Sequence, residues 1–127
     1  MTKRHKAWIK AAQKIALKTK ENIPKAKMAC VITKGGNVIS IGINKISPGV
    51  LKDKRYKNKG IHAELDAILS CDKDDLKNAT VYIVGYTKGN GYLLTKPCEL
   101  CYNVLTEVGI KHIYYHDKEN EVYKLES

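Results

Sequence analysis

The apolar and polar positions of residues 6–20, KAWIKAAQKIALKTK, have the spacing of an amphipathic helix. The apolar side chains at helical spacing are Trp8, Ala12, Ile15 and Ala16. The lysines that stand four apart on another face are Lys10, Lys14 and Lys18. The pattern predicts a first helix that ends before Pro24, and its lysine row is either a solvated face or a stripe that binds nucleic acid.

Two β-rich runs and two further helical patterns follow. Residues 28–44 hold two apolar runs around the turn GGN and predict an antiparallel hairpin. Residues 45–60 lose all periodicity and predict a basic loop that leads into HAELDAILS, a second predicted helix. TVYIVGY predicts a strand, the segment 88–97 a loop, and CELCYNVLTEV a third helix that Gly109 caps.

The chain ends in two more predicted strands, IKHIYYH and EVYKLE. The link between them, DKEN, is too short for a helical crossover, so these last two strands are expected to run antiparallel. The elements together predict an α/β fold with a five-stranded mixed sheet covered by three helices. A length of 127 residues fits a single domain over residues 1–127.

Composition and charge narrow the class of protein. No apolar run is long enough to span a membrane and the N-terminus has no leader pattern, so we expect a cytoplasmic protein with no membrane partner. Residues 1–60 carry sixteen Lys or Arg against two acids, whereas residues 61–127 carry seven against eleven. The basic first half suggests an anionic partner such as a nucleotide or nucleic acid, although lysine-rich composition can also serve solubility alone.

Cysteine and histidine supply the candidate chemistry. Reduced cytosolic cysteines favour metal binding or catalysis over disulfides. Cys98 and Cys101 would place both sulfurs on one side of the first turn of a helix, and His62 would be a third zinc ligand if two helix ends lie side by side. Water would take the fourth position, and Glu64, two residues from His62, would move protons to and from it. The alternative is a purely structural zinc site, in which Glu64 only caps its helix.

The order H-x-E and then P-C-x-x-C is typical of zinc nucleobase deaminases. With GIHAELDAIL, KPCELC and GIKHIYY, the chain resembles the cytidine and deoxycytidylate deaminase superfamily from residue 28 to the last strand. The resemblance implies a three-layer α/β/α cytidine-deaminase-like fold. It also implies Zn²⁺ held by His62, Cys98 and Cys101, with Glu64 as the proton shuttle.

Further expectations come from the same resemblance. Asn44 matches the family's G-x-N position, which contacts the substrate sugar or base, and Ala63 matches a position whose backbone touches the base. Relatives are usually dimers or larger, so a homo-oligomer is expected. Lys96 departs from the family, since many relatives have Glu there, and His62 separates the chain from the free-cytidine deaminases, which use a third cysteine.

The predicted function is zinc-dependent hydrolytic deamination of a cytosine nucleoside or nucleotide, above all deoxycytidylate or cytidylate, to the uracil form with release of ammonia. The basic segment 52–59, Arg55 included, runs into the HAE helix and is either a phosphate contact or a solvated loop. One alternative is a deaminase acting on cytidine or adenosine in single-stranded DNA, RNA or tRNA. Another is a catalytically idle module of the same fold that binds nucleic acid.

Overall fold

The computed structural model describes residues 3–18, 26–44, 63–87 and 91–126. In chain order the elements are α1 (Lys3–Lys18), β1 (Ala26–Lys34), β2 (Asn37–Ile43), α2 (Ala63–Leu69), α3 (Lys73–Leu76), β3 (Thr80–Thr87), β4 (Gly91–Tyr92), α4 (Glu99–Glu107), β5 (His112–His116) and β6 (Val122–Glu126). No helix in this part of the chain is long and apolar enough to cross a membrane. That residues 1–127 form one domain stays a prediction.

The strands form one mixed sheet in the order β2-β1-β3-β5-β6, with β4 paired to β3. β1 is antiparallel to both β2 and β3, and β3 runs parallel to β5. β5 and β6 are antiparallel, as the short DKEN link predicts. The predicted α/β class and mixed sheet are therefore confirmed, with one short strand beyond the five expected among the described residues.

The hairpin over residues 28–44 is confirmed, and its turn depends on two glycines. Gly35 and Gly36 have φ of +59° and +82° and connect the terminal pair Lys34 and Asn37. Positive φ at both central residues is the geometry of a tight hairpin turn whose twist matches that of the strands. The predicted C-terminal cap of the third predicted helix, which is α4 in the structure, is also present. Gly109 has φ +93° and donates its N–H to the Thr106 carbonyl oxygen at 3.1 Å.

Helices cover the sheet on both faces, which makes the three layers. Alternate residues of β1 point to opposite sides, so Ala29 and Val31 pack with α1 while Cys30 and Ile32 pack in the cluster that includes α2 and α4. The α1 layer is tied to the sheet through His5. Its two ring nitrogens lie 2.9 Å from the Tyr82 hydroxyl and 3.1 Å from the Tyr114 hydroxyl.

Two short elements were not predicted. The segment 88–97, predicted to be a loop throughout, contains β4, whose two residues are too few to show a strand period. The four-residue helix α3 is a single turn between α2 and β3, below the length at which a hydrophobic period is readable. Tyr82 on β3 and Tyr114 on β5 are both buried in the core.

Candidate active site

The two motif cysteines lie at the start of α4. Cys98 is the N-cap residue, and its sulfur accepts a hydrogen bond from the Cys101 backbone N–H at 3.4 Å. Cys98 is exposed, whereas Cys101 is fully buried against the sheet. Both sulfurs thus belong to the N-terminal turn of one helix. A pair of such sulfurs is a donor set that suits zinc.

Glu64 lies in the first turn of α2, on the same face of the sheet. Its side chain is only 5% exposed, and its helix neighbours Ala63 and Leu65 are buried apolar residues. A buried carboxylate is expensive to desolvate and gives a short helix no packing advantage over an apolar side chain. Its position is therefore better explained by chemistry than by stability. α2 also contacts α4, so the segments that carry Glu64 and the two cysteines lie side by side.

Three contacts with β2 fix the position of α2. A Cβ at Gly42 would lie 2.2 Å from the Ala63 carbonyl oxygen and 2.3 Å from the Ala67 nitrogen, so the helix backbone rests directly on this glycine. The Ser40 hydroxyl donates to the Ala67 carbonyl oxygen at 2.6 Å. The Ile43 backbone N–H donates to the Asp66 carboxylate at 3.0 Å. The strand that ends in the G-x-N motif thus positions the helix that carries Glu64.

The cysteines differ in environment. Burial raises the pKa of the Cys30 thiol well above its usual value, and the nearby Glu64 and Asp66 carboxylates raise it further. Cys30 is therefore a protonated core residue. Burial likewise raises the pKa of Cys71, which is only partly buried, and no cysteine in the described part of the chain is in a disulfide.

Asn44 follows β2 and is partly buried. Its side-chain oxygen accepts the Met28 backbone N–H at 2.8 Å, and its own backbone N–H donates to the Met28 carbonyl oxygen at 3.2 Å. These bonds extend the hairpin by one residue. The bond to the Met28 N–H also fixes the orientation of the side-chain amide.

A buried clamp holds the segment that leads to the cysteines. The Thr95 hydroxyl donates to the Ile83 carbonyl oxygen at 2.8 Å and accepts the His116 backbone N–H at 3.0 Å. The His116 ring accepts the Gly85 N–H at 3.1 Å through Nε2, and its Nδ1 lies 3.0 Å from the Asp117 carbonyl oxygen. Both side chains are almost fully buried.

Sequence reasoning missed the roles of Gly42, Asp66, Thr95 and His116, because each acts through a contact distant in sequence. Two predicted site residues, His62 and Arg55, lie outside the described residues. Within the described ranges no three His, Cys, Asp or Glu side chains are grouped as a potential metal site. The predicted set of three ligands includes His62 and so cannot be assembled from those ranges.

The chain matches a family model. The description of that family is cytidine and deoxycytidylate deaminase zinc-binding region, and the match covers residues 2–117. A match over most of the 127 residues shows that the chain belongs to this family. The resemblance inferred from the HAE and PCELC motifs is therefore confirmed.

Individual relatives carry the same family's names. A probable deoxycytidylate deaminase of Caenorhabditis elegans is 26% identical over 131 residues, covering 94% of this chain and 60% of that protein. The deoxycytidylate deaminase of Pongo abelii is 26% identical over 108 residues, covering 72% of this chain and 55% of that protein. The chain thus spans little more than half the length of these relatives.

Solved structures confirm the fold. A cytidine deaminase from Burkholderia pseudomallei superposes with a TM-score of 0.70 at 21% identity, covering 99% of this chain and 93% of that chain. The dCMP deaminase of cyanophage S-TIM5, crystallised with dCMP and dUMP, superposes with a TM-score of 0.66 at 20% identity, covering 92% and 84%. Both support the cytidine-deaminase-like arrangement of sheet and helices.

Proposed function

We propose that the protein is a zinc-dependent deaminase that hydrolyses the 4-amino group of a cytosine nucleotide, deoxycytidylate or cytidylate, and releases ammonia. The observation that carries the proposal is the family match over residues 2–117. Two features of the structure support it: the paired sulfurs at the start of α4 and the buried carboxylate of Glu64 on the adjoining helix.

Zinc would be held by His62, Cys98 and Cys101. The bond from the Cys101 N–H to the Cys98 sulfur supports this assignment, since it holds the two cysteines together at the start of α4. When bound, zinc supplies a water that loses its proton near neutral pH. His62 directly precedes Ala63, the first residue of α2, so the contact between α2 and α4 supports its inclusion in the set.

Glu64 would be the proton carrier. Its carboxylate would take a proton from the attacking water, deliver it to N3 of the cytosine ring, and assist the later proton transfer to the leaving amino group. Burial of Glu64 keeps bulk water away from the carboxylate, which strengthens its interaction with a bound base. The contacts of α2 with Gly42, Ser40 and Ile43 would hold the carboxylate in place through the reaction.

Substrate contacts are assigned to three positions. Asn44 would contact the sugar or base of the substrate, through a side chain whose orientation the bond to Met28 fixes. The Ala63 backbone would meet the edge of the base. Arg55, in the basic segment 52–59 before α2, would contact the phosphate, which is why a mononucleotide is preferred over the free nucleoside. A cytoplasmic homo-oligomer stays a prediction.

Exchange of Glu64 for glutamine tests the catalytic assignment. Glu64→Gln keeps the shape of the side chain and removes its basicity, so turnover of deoxycytidylate should fall at least about 100-fold, the usual size of a lost general base. Zinc content should stay near that of the unaltered protein. The matched control is Glu99→Gln, an exposed acid in the first turn of α4, which should keep full turnover. Full activity of Glu64→Gln would remove the carboxylate from the mechanism.

A further inference from the structure

A groove lies on the face of the sheet opposite to Glu64 and the two cysteines. It has a volume of about 500 Å³ and lies between α1, the end of β3 with β4, and the β5–β6 turn. The cationic side chains that line it are Lys6, Lys10 and Lys14, and the aromatic ones are Tyr86 and Tyr92. Among the residues that the structure describes, its lining contains one acid, Glu121. The α1 layer is separated from α2 and α4 by the sheet, so the groove is distinct from the candidate active site.

The charge of α1 is unusual for a solvated helix. Residues 3–18 contain six Lys or Arg and no Asp or Glu. Lys6, Lys10 and Lys14 follow one another at i, i+4 spacing, where like charges repel and destabilise a helix. A helix that only faced water would gain from acids between these lysines. A bound polyanion would neutralise these lysines and so remove the repulsion between them.

The spacing of the row matches a chain of phosphates rather than one phosphate. Residues four apart on a helix are about 6 Å apart along the axis, so the three lysines span about 12 Å. Neighbouring phosphates of an extended nucleic-acid strand are separated by a distance similar to one such step. One small phosphate group would contact a single lysine and leave the others unpaired.

Aromatic side chains lie beside the lysines. Tyr86 and Tyr92 are directly opposite each other on β3 and β4, with ring centroids 5.2 Å apart, and both are partly exposed. Tyrosine faces beside a cationic row are how single strands are held without base pairing. A duplex hides its base faces and cannot use them.

The wall of the groove is preformed. Gln13, 5% exposed on α1, donates from Nε2 to the Asn120 side-chain oxygen at 2.6 Å. Asn120 has φ +62° in the β5–β6 turn. This bond fixes the helix that carries the lysines against the turn on the other side, so a ligand need not order the groove when it binds.

We propose that this groove binds single-stranded nucleic acid, with the phosphates along Lys6, Lys10 and Lys14 and bases stacked on Tyr86 and Tyr92. This groove is separate from the proposed deaminase site, so the strand that it binds need not be the substrate of the deaminase. The chain could then stay bound to a strand while it acts on free nucleotides.

Fluorescence anisotropy of a labelled 12-nucleotide thymidine strand, titrated with the full chain from 50 to 300 mM salt, tests the proposal. The triple variant Lys6→Gln, Lys10→Gln and Lys14→Gln should lower the slope of log affinity against log salt by about 2, at ~0.7 per lost phosphate contact. The matched control is Lys73→Gln, Lys77→Gln and Lys111→Gln, which removes the same charge from exposed lysines outside the groove. Its slope should change by less than half a unit.

Tyr92→Leu separates stacking from charge. Its affinity should fall by about fivefold or more with the salt slope unchanged, because stacking contributes binding without releasing ions. Equal losses in the two lysine triples would overturn the proposal, since net charge alone would then explain binding. Binding of a duplex as tight as that of the strand, or of inorganic triphosphate with the same salt slope, would also overturn it. Deamination by each variant, measured in parallel, keeps this result independent of the proposed activity.

Discussion

Gly42→Ala is the substitution that most directly tests how the fold positions the candidate site. The added Cβ would lie 2.2 Å from the Ala63 carbonyl oxygen, 2.3 Å from the Ala67 nitrogen and 2.8 Å from the Ala67 Cα. All three atoms are backbone and cannot rotate away. Relief of the clash therefore requires α2 to move outward by about 1 Å, the amount that restores ordinary contact distances.

The expected loss of stability follows from that movement of α2. Overpacking of a core typically costs about 1–3 kcal/mol. The shift also weakens the bonds from Ser40 to Ala67 and from Ile43 to Asp66, each contributing about 1 kcal/mol. We expect a loss of about 3–5 kcal/mol in the free energy of unfolding. Because α2 carries Glu64, the proposed deaminase activity should fall about 100-fold even in the folded fraction, as it does when a catalytic group is displaced by about 1 Å.

Urea unfolding followed by circular dichroism gives the stability, and steady-state turnover at saturating zinc gives the activity. The matched control is Gly85→Ala on β3, whose added Cβ would lie 3.1–3.3 Å from its nearest neighbours, two of them side-chain atoms. This control should cost less stability than Gly42→Ala, because its shortest contact would be 3.1 Å rather than 2.2 Å. If Gly42→Ala has a free energy of unfolding within about 1 kcal/mol of that of the unaltered protein and stays fully active, the close packing of α2 on β2 is refuted.

Three further predictions concern the surroundings of the site. Burial lowers the pKa of His116 below its usual value of 6.5, so its contribution to stability is fully present above pH 6.5 and is lost as pH falls through the lowered pKa. The urea midpoint should therefore fall further between pH 8 and pH 5 for the unaltered protein than for His116→Gln, and parallel curves of midpoint against pH would contradict this. Thr95→Val removes the hydrogen bonds to Ile83 and His116 and should weaken zinc binding about tenfold in chelator competition, whereas Thr95→Ser should keep the zinc affinity. Equal zinc affinities in the two variants would show that these hydrogen bonds do not position the cysteines. Arg55→Gln should raise KM for deoxycytidylate and leave KM for deoxycytidine unchanged, and equal changes for both substrates would remove the phosphate contact.

The regular part of the fold could be predicted from the sequence because each element carries its own local signal. The hairpin is marked by a glycine turn between β-rich runs, and the end of α4 is marked by Gly109. The antiparallel last strands follow from the length of their link alone. β4 and α3 could not be predicted, since elements of two and four residues show no period and form through pairing and packing.

The candidate site divides in the same way. Glu64 and Cys98 were predicted as site residues because the motifs H-x-E and P-C-x-x-C are short and local. Gly42 and Thr95 were not, because their effect depends on partners far along the chain: a glycine in β2 that admits the backbone of α2, and a hydroxyl that bonds to β3 and β5. Such contacts exist only once the sheet is assembled, and no local pattern specifies them.

Ammonia release from deoxycytidylate by the purified, zinc-loaded chain tests the central claim most directly. Cytidylate, the free nucleosides, adenosine monophosphate and a single-stranded 20-mer should be assayed beside it, with the uracil product quantified in the same samples. The account predicts ammonia and deoxyuridylate or uridylate in equal amounts from a cytosine monophosphate, lower turnover of the nucleosides, and loss of both products in Glu64→Gln. Release from the 20-mer alone, or from no cytosine compound at all, would contradict it.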